Sequence, residues 1–309
     1  MPNKWTANDI PDQSGRIIVV TGANSGLGFE TSLELARRRA HVILAVRNPE
    51  RGATAIARIR DEVPDADVEL RMLDTSDLDS VRAFADQVDS PVHVLVNNAG
   101  VMMAPRQLTK QGQELHFATN HLGHFALTGL LLPRLEDAAA TGGDARVVTV
   151  TSTLHRGGKI DLDDLTGGRS YKPTTAYAQS KLANVLFALE LDRHLRRNGS
   201  TIRSVLAHPG YAATNLQSSG PTGITKRMLE IGNALMAQSA AKGALPQLYA
   251  ATAPDVEGGQ FIGPSGLGEQ RGYPKVVQPS ARGRDRDLAQ RLWSRSEELT
   301  GVTFAGAAA

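Results

Sequence analysis

Short apolar runs alternate with longer helical patterns from Arg16 to Ala207, and this alternation constrains the fold more than any other feature. The first run, RIIVVT at Arg16–Thr21, is apolar at nearly every position, which is typical of a strand covered by helices on both faces. Strands separated by helices pair in parallel through right-handed crossovers. The sequence therefore predicts an α/β fold with one doubly wound, mostly parallel sheet of the Rossmann type. The expected strands are Arg16–Thr21, His41–Val46, Asp67–Leu73, Val92–Asn97, Arg146–Thr151 and Thr201–Ala207, and the expected helices are Leu27–Arg39, Arg51–Glu62, Asp77–Val88, one containing Phe117, Leu122, Phe125 and Leu130–Leu132, and Tyr177–Leu195.

No Pro/Gly/Ser-rich linker and no internal repeat divides the chain, so a single domain is expected over residues 1–309. A chain of this length buries a sizeable core without metals or disulfides. It contains no cysteine, which excludes a disulfide framework, a thiolate zinc site and a cysteine nucleophile. Residues 1–13 are expected to form an N-terminal extension, residues 216–242 a less regular region that covers the substrate, and residues 305–309 a disordered tail.

The balance of charges bears on partners and location. There are 34 Lys and Arg against 32 Asp and Glu, a net charge of +2 that provides no footprint for nucleic acid. The five arginines of Arg282–Arg295 are interspersed with acidic residues, which is typical of a solvated helix face. The N-terminus lacks the apolar core of a signal peptide, and no apolar run approaches the ~18 residues of a membrane span. A cytoplasmic protein without a membrane anchor is expected.

A glycine-rich segment joins the first expected strand to the first expected helix. It reads TGANSGLG at Thr21–Gly28, with glycines at Gly22, Gly26 and Gly28. Glycine permits a tight turn and close backbone approach, while the free N–H groups at a helix N-terminus attract a pyrophosphate. Because the segment opens a β-α unit, dinucleotide binding is favoured over a bare turn. The residues expected to contact the cofactor here are Gly22, Asn24, Ser25, Gly26, Leu27 and Gly28.

The end of the second expected strand bears on the choice between NAD and NADP. An acidic residue there would bind the ribose 2′-hydroxyl, whereas an arginine accommodates a 2′-phosphate. The chain has Arg47 at this point, 25 residues after Gly22, and no acidic residue at the strand tip. The guanidinium fork suits a phosphate, so NADP(H) is favoured over NAD(H), with Arg38 as a weaker second contact. In the alternative interpretation, Arg47 only caps a surface turn before Pro49.

A tyrosine, a lysine and a serine form the candidate reactive group. Tyr177 and Lys181 are four residues apart in a helical pattern, YAQSK, so both project from one helix face. Ser152 ends the run VVTVTS, at the sheet edge where doubly wound folds bind ligands. The Tyr–Lys pair alone is a weak indication, because this spacing is common on protein surfaces. It gains weight from NNAG at Asn97–Gly100 and PGYAAT at Pro209–Thr214 in the same chain.

With these motifs the sequence resembles the short-chain dehydrogenases/reductases over residues 14–300. It is most similar to the retinol-dehydrogenase-like and protochlorophyllide-reductase-like branch, through NNAGVM, NHLGHF, HPGYAATN and the 25-residue separation of Ser152 and Tyr177. The resemblance implies a catalytic tetrad of Asn120, Ser152, Tyr177 and Lys181. Tyr177 would exchange a proton with the substrate oxygen, Ser152 would hydrogen-bond that oxygen, and Asn120 would anchor a water-linked proton path.

The resemblance also implies how the cofactor is held. Lys181 would hold the nicotinamide ribose and lower the pKa of Tyr177, since a cation at ~4 Å in an effective dielectric of ~20 contributes ~4 kcal/mol. That would bring the tyrosine near neutrality, where acid–base catalysis is efficient. Asp74 would contact the adenine, although an Asp at this point is also a helix-capping candidate. The remaining implied cofactor contacts are Asn98, Ala99 and Gly100 on the adenosine side, Pro209, and Thr214 at the nicotinamide amide or phosphate.

Several other residues near these motifs are interpreted as structural. His121 and His124 are three apart on an expected helix without a third ligand, so no metal site is expected. His155 is interpreted as a loop residue and His208 as a strand-end residue. One apolar stripe fits either core packing or an amphipathic lid over an apolar substrate, and both alternatives stay open. The stripe consists of Met228, Leu229, Ile231, Leu235 and Met236.

Together these features predict an NADP(H)-dependent oxidoreductase that transfers a hydride between nicotinamide and an apolar ketone, aldehyde or alcohol, with Tyr177 as acid–base. One alternative is a non-catalytic NADP(H)-sensing or scaffold protein, which usually lacks the tyrosine or the lysine. Another is an epimerase or dehydratase, whose glycine loops generally show TGxxGxxG instead of the TGxxxGxG found here. The resemblance also allows a homodimer or a homotetramer.

Overall fold

The computed structural model describes residues 4–211 and 238–304. These residues form an eight-stranded sheet with helices on both faces. The strands are β1 (Ile17–Thr21), β2 (His41–Val46), β3 (Val68–Met72), β4 (Val94–Asn97), β5 (Arg146–Val150), β6 (Arg203–Ala207), β7 (Phe261–Pro264) and β8 (Pro274–Val277). The helices are α1 (Gly26–Arg37), α2 (Pro49–Glu62), α3 (Leu78–Asp86), α4 in three consecutive segments (Leu115–Phe117, the π-helical Ala118–Leu122, and Gly123–Ala140), α5 (Pro173–Arg197), α6 (Ala240–Thr252) and α7 (Arg286–Thr300).

The strands lie in the order β3-β2-β1-β4-β5-β6-β7-β8, and every pair is parallel except β7 with β8. The predicted doubly wound, mostly parallel sheet is therefore confirmed. The strand order changes direction between β1 and β4, and a crevice opens there at the carboxyl ends of the strands. The segments that follow β1 and β4 are the glycine-rich loop and NNAG, so the topology brings two distant motifs to one edge.

Alternate side chains of each central strand enter different cores, which explains the continuous apolar runs. In β1, Ile18 and Val20 pack in the core formed with α1, α2 and α6, whereas Val19 packs against α3, α4 and α5. β2 divides in the same way, with Val42 and Leu44 on the first face and Ile43 on the second. The other main face-one residues are Phe29, Leu33, Ile59, Leu248 and Ile262, and those of face two are Phe84, Phe125, Leu131, Leu135 and Phe187.

Among the described residues, two strands and two longer helices follow the last predicted strand. β7 has only the four residues FIGP and lacks the long β-branched run that marks earlier strands. The glycines shortly before it in the chain weaken the strand signal further. β8 covers the edge of β7 with an antiparallel partner. α6 contains Pro246, which weakens its helical signal. Arg286, Arg291 and Arg295 lie on an exposed face of α7, with Arg291 near Asp287 and Arg295 near Glu298. Arg282 and Arg284 are also exposed but lie in a short 3₁₀ helix before α7.

The N-terminal extension packs on the domain from its first described residues. Trp5 and Ile10 are buried, and the Trp5 ring meets the Tyr249 ring edge-on with centroids 5.1 Å apart. Of residues 216–242, which the sequence predicts to cover the substrate, residues 216–237 with the apolar stripe lie outside the described residues. The predicted tail at residues 305–309 also lies outside them. Within the described ranges, no helix combines the length and the hydropathy needed to span a bilayer.

Candidate functional site

The glycine-rich loop makes a turn that side chains would block. Gly22 and Gly26 have φ values of +66° and +54°, a region that favours glycine. A Cβ on Gly28 would lie 2.4 Å from the Gly22 carbonyl oxygen, and one on Gly22 would lie 2.9 Å from the Cα of Ala99. Ser25 is the N-cap of α1 but its side chain makes no capping hydrogen bond. The first-turn N–H groups of α1 are thus left for an anion at the crevice, which fits a dinucleotide pyrophosphate.

A buried hydrogen-bond chain fixes NNAG to the end of β1. The Thr21 hydroxyl accepts from the backbone N–H groups of Asn98 and Ala99, both at 2.9 Å, and lies 3.0 Å from Nε2 of His124. Burial lowers the pKa of His124 to about 4, so the imidazole is neutral at physiological pH. Its Nδ1 lies 3.0 Å from the Asn120 carbonyl oxygen. Because Nδ1 of the neutral ring donates to the Asn120 carbonyl oxygen, Nε2 accepts from the Thr21 hydroxyl. These hydrogen bonds join the glycine loop to α4.

The outer end of the groove is formed by Arg47, Asn48, Arg51 and Asp74. Asn48 caps α2 by accepting the N–H of Arg51 at 2.8 Å, which places Arg51 beside Arg47 at the N-terminus of this helix. Two guanidinium groups and the positive end of a helix dipole suit an anion. Arg38 lies elsewhere: its guanidinium donates to the backbone carbonyl groups of residues 7 and 8, and it does not line the groove.

Asp74 also lies at the outer end, where β3 leads into α3. Its Oδ1 accepts from the backbone N–H of Ser76 at 2.9 Å and from the Ser76 hydroxyl at 2.6 Å. Its Oδ2 lies 3.9 Å from a guanidinium nitrogen of Arg47. The N-cap of α3 is Asp77, so Asp74 is not the capping residue that its sequence context also allowed. One carboxylate oxygen thus holds a turn and the other faces the groove.

The inner end of the groove contains Tyr177 and Lys181, both in the first half of α5 and both buried. The Lys181 ammonium donates to the Val150 carbonyl oxygen at 3.2 Å, beside a second donor, Nδ2 of Asn184, at 3.1 Å. It lies 5.7 Å from the centre of the Tyr177 ring. Ser152 follows β5, and its hydroxyl accepts the N–H of Leu154 at 3.2 Å. The end of β5 and the helix face therefore bring the predicted serine, tyrosine and lysine together.

The pKa values at the inner end are set mainly by burial. Burial raises the pKa of Tyr177 to about 12, although the neighbouring Ser152 hydroxyl lowers it in part. Burial lowers the pKa of Lys181 to about 8. The expectation that the lysine charge brings the pKa of the tyrosine near neutrality is wrong for this structure, because desolvation of the phenolate is the largest cause of the shift. Tyr177 is consequently protonated at neutral pH.

Asn120 lies in the π-helical segment of α4, a rare geometry that often marks functional positions. Its Oδ1 accepts the Val101 N–H at 2.8 Å, and its Nδ2 donates to the Val101 carbonyl at 3.0 Å and to the Ser180 hydroxyl at 2.9 Å. A Cβ on Gly100 would lie 3.1 Å from Asn120 Oδ1 and 3.7 Å from Lys181 Nζ. The side-chain amide of Asn120 therefore holds the loop after β4. The backbone carbonyl oxygen of Asn120 lies within hydrogen-bond distance of His124 Nδ1.

One groove of about 220 Å³ connects the two ends. Asn120 and Ser152 are not among its lining residues, and Thr214 lies outside the described residues. The predicted residues that line it are Gly22, Asn24, Ser25, Gly26, Leu27, Gly28, Arg47, Asp74, Asn98, Ala99, Gly100, Tyr177, Lys181 and Pro209. The lining residues that the sequence did not single out are Ala45, Asn48, Arg51, Leu73, Thr75, Val101, Thr119, Val150 and Thr151. Leu73, Val150 and Thr151 end or directly follow a strand, and for these three that position was the available signal.

The three other histidines that were interpreted from the sequence have structural partners. His121 is buried, and its Nε2 lies 2.9 Å from the Ser296 hydroxyl of α7. The Nδ1 of His155 lies 2.7 Å from the Ser152 carbonyl oxygen, and His208 lies 3.0 Å from a carboxylate oxygen of Glu269. Across residues 4–211 and 238–304, no group of three His, Asp or Glu side chains could hold a metal ion.

The chain is similar to known proteins along most of its length. The family model described as short chain dehydrogenase matches residues 16–223. A polyprenol dehydrogenase of Mus musculus is 41% identical over 298 residues, covering 95% of this chain and 86% of that protein. Retinol dehydrogenase 12 of Mus musculus is 40% identical over 296 residues, with 94% and 88% covered. The crystal structure of an uncharacterized protein from Mycobacterium paratuberculosis superposes with a TM-score of 0.81 at 44% identity, covering 98% and 99% of the two chains.

Proposed function

Since this chain belongs to the short-chain dehydrogenase/reductase family, in its retinol-dehydrogenase-like branch, we propose that it is an NADP(H)-dependent oxidoreductase of apolar carbonyl compounds or alcohols. The observation that carries the proposal is the arrangement of one groove. Its inner end contains a buried tyrosine and lysine, and its outer end contains two arginines at a helix N-terminus.

The inner end supplies the acid–base chemistry. A bound nicotinamide would supply or accept the hydride. In the reducing direction, Tyr177 donates its phenolic proton to the carbonyl oxygen of the substrate, and the Ser152 hydroxyl hydrogen-bonds the same oxygen. The raised pKa of Tyr177 keeps that proton in place at neutral pH. In the oxidising direction the phenolate of Tyr177 accepts the alcohol proton, which regenerates the phenol.

Lys181 assists at a fixed position. Its ammonium is anchored to the Val150 carbonyl oxygen and lies near the Tyr177 ring, so a phenolate that forms during turnover meets a positive charge. The two free N–H bonds of the ammonium can hold ribose hydroxyl groups. Asn120 keeps the adjoining loop in place through Val101, which leaves Lys181 room beside Gly100.

The outer end favours NADP(H) over NAD(H). Arg47 and Arg51 can both donate to a 2′-phosphate at the N-terminus of α2. Asp74, which faces the groove with one carboxylate oxygen, would lie on the adenine side. The carboxylate partner of an NAD-type 2′-hydroxyl is expected at the tip of β2, where Arg47 stands.

The substrate class follows from the relatives. Polyprenol and retinol, named for the two mouse enzymes, are both apolar alcohols. We propose an apolar alcohol, or the aldehyde or ketone derived from it, as the substrate of this chain. A cytoplasmic location and assembly into a homodimer or a homotetramer stay predictions.

A paired titration tests the cofactor and the role of Arg47. The fluorescence of NADPH and NADH is followed on binding to the wild type and to Arg47→Asp. The wild type should bind NADPH at least about tenfold more tightly, and the variant should lose or invert this preference, because one charge-assisted contact contributes about 1.5–3 kcal/mol. Arg38→Asp is the matched control and should keep the preference. A wild-type preference for NADH would refute the NADP(H) assignment.

A second experiment separates an enzyme from a sensor. Wild type and Tyr177→Phe are compared for NADPH binding and for NADPH oxidation with apolar aldehydes and ketones. The proposal requires turnover in the wild type and its loss in the variant, with binding retained. Equal NADPH binding without turnover in either protein would instead support the non-catalytic alternative.

A further inference from the structure

A buried polar cluster beside the inner end takes no part in the chemistry described above. It consists of Glu114, His116 and Tyr171, and the first two side chains are almost fully buried, with 2% and 0% of their surfaces exposed. Glu114 precedes α4, and Tyr171 precedes α5 by two residues. Buried ionisable groups are retained only when their partners compensate for desolvation, so the cluster calls for a physical explanation.

The hydrogen bonds of His116 define its tautomer. Its Nε2 lies 3.1 Å from the backbone nitrogen of Ala104 and accepts that N–H. Its Nδ1 must then carry the proton, which it donates to Oε1 of Glu114 at 2.7 Å. The other carboxylate oxygen accepts the N–H of Phe117 at 2.8 Å. Burial raises the pKa of Glu114, but these hydrogen bonds from His116 and Phe117 outweigh it and hold the pKa below its ordinary value.

Tyr171 completes the grip on the loop after β4. Its hydroxyl lies 3.0 Å from the Ala104 carbonyl oxygen and 3.0 Å from Oε1 of Glu114. Both backbone groups of Ala104 are thus held by side chains. Met103, the residue before, has a φ of +57°, a conformation that a non-glycine residue keeps only when its surroundings enforce it. The cluster supplies that enforcement.

The same cluster reaches the reactive tyrosine. The His116 ring meets the Tyr177 ring edge-on, with centroids 6.3 Å apart and planes at 70°. The held loop also includes Val101, whose N–H and carbonyl both pair with the Asn120 amide. One buried unit therefore contacts the Tyr177 ring directly and Asn120 through the loop.

We propose that Glu114, His116 and Tyr171 are positioning residues that hold the Tyr177 ring and the Val101–Ala104 loop in the reacting arrangement. The inference rests on the proposed function. Since proton transfer needs the phenol at hydrogen-bond reach of the substrate oxygen, a small displacement of the ring lowers the rate of the chemical step. Cofactor binding, which depends on the glycine loop and the outer end, does not require the cluster.

The central test is Tyr171→Phe, which keeps the ring and removes only the hydroxyl. We expect kcat for carbonyl reduction to fall roughly tenfold with NADPH affinity unchanged. Tyr249→Phe is the matched control, because the Tyr249 hydroxyl also bonds a carboxylate, that of Asp255 at 2.7 Å. Tyr249 lies on α6 and does not line the groove. It should keep the wild-type kcat. Equal kcat values in the two variants would overturn the inference.

A second pair of variants separates positioning from bulk stability. The amide oxygen of His116→Gln can still accept the Ala104 N–H, whereas His116→Leu cannot. Urea unfolding first establishes that both variants fold. We expect kcat of His116→Gln to exceed that of His116→Leu by roughly fivefold at similar NADPH affinity. Equal kcat values in two folded variants would contradict a positioning role.

A spectroscopic readout keeps the two proposals distinguishable. With ring-labelled tyrosine, the Tyr177 NMR signals are identified by their loss in Tyr177→Phe. They should shift in Tyr171→Phe and stay in place in Tyr249→Phe, whether or not a substrate is turned over. A wild type without turnover refutes the proposed function alone, whereas unmoved Tyr177 signals refute the positioning role alone.

Discussion

The two ends of the groove hold positive charge in opposite ways. At the outer end, the Arg47 side chain is 66% exposed and lies 3.9 Å from a carboxylate oxygen of Asp74. At the inner end, Lys181 is only 5% exposed, it is anchored to the Val150 carbonyl oxygen, and its pKa is lowered by burial. An exposed guanidinium is screened by salt and can reorient, whereas a buried ammonium has one position and a pH-dependent charge. Selectivity is therefore adjustable at the outer end, while the chemistry at the inner end depends on fixed geometry.

The largest difference between the ends should come from Tyr177→Phe. The substitution removes one buried hydroxyl and leaves the ring in place, so the proton donor is lost while the groove keeps its shape. We expect kcat/KM to fall by about a thousandfold, within the ~10²–10⁴ range of general acid–base catalysis, with NADPH affinity unchanged. Steady-state kinetics and fluorescence titration measure the two quantities. If NADPH affinity fell as much as kcat/KM, the two ends would not be separable.

The pH dependence should also separate the ends. Lys181 has its pKa lowered to about 8, so its charge is present below that pH and is lost as the pH rises through it. We expect kcat/KM for carbonyl reduction to be level from pH 6 to 7.5 and to fall roughly tenfold for each pH unit above about 8. Lys181→Arg should have a lower kcat/KM at every pH, but its kcat/KM should not fall above about pH 8, because a guanidinium keeps its charge. The same inflection in both proteins would assign it to another group.

The smallest effect is expected from Arg51→Ala at the outer end. This exposed guanidinium is the second of two at the α2 N-terminus, so its loss should weaken NADPH binding only about threefold to tenfold, in the range of one exposed charge-assisted contact. NADH binding should not change. The difference should shrink as salt is raised from 50 to 500 mM, since the site is open to solvent. An effect of equal size on NADH would place Arg51 away from the 2′-phosphate.

The sequence predicted those parts of the molecule that local patterns determine. The strands β1, β2, β4, β5 and β6 contain short apolar runs, and β3 alternates apolar with charged residues. The glycine loop and the Tyr–Lys pair are contiguous motifs. β7 and β8 were missed because each has only four residues and includes a proline, Pro264 or Pro274, so neither forms a long apolar run. The direction of the Tyr177 pKa shift was also missed, because burial in three dimensions determines it and no spacing encodes that burial.

Contacts between distant segments explain the other differences at the site. Arg38 was expected at the cofactor, but the N-terminal extension provides two carbonyl groups that hold it. Arg51 was not singled out, because its place beside Arg47 depends on the Asn48 cap at the start of α2. The Glu114, His116 and Tyr171 cluster joins residues 57 positions apart in the chain, and no single motif contains it.

The hydrogen bonds of His124 bear on how this protein can be recombined. One ring nitrogen binds the Thr21 hydroxyl, 103 positions earlier, and the other binds the Asn120 backbone carbonyl, so the start of the glycine loop and α4 share one donor–acceptor pattern. A chimera joined between residues 21 and 124 inherits its two halves from different parents. It will stay functional only when both parents carry the same pairing. In evolutionary terms, the two segments form one unit of inheritance, although a hundred residues of sequence separate them.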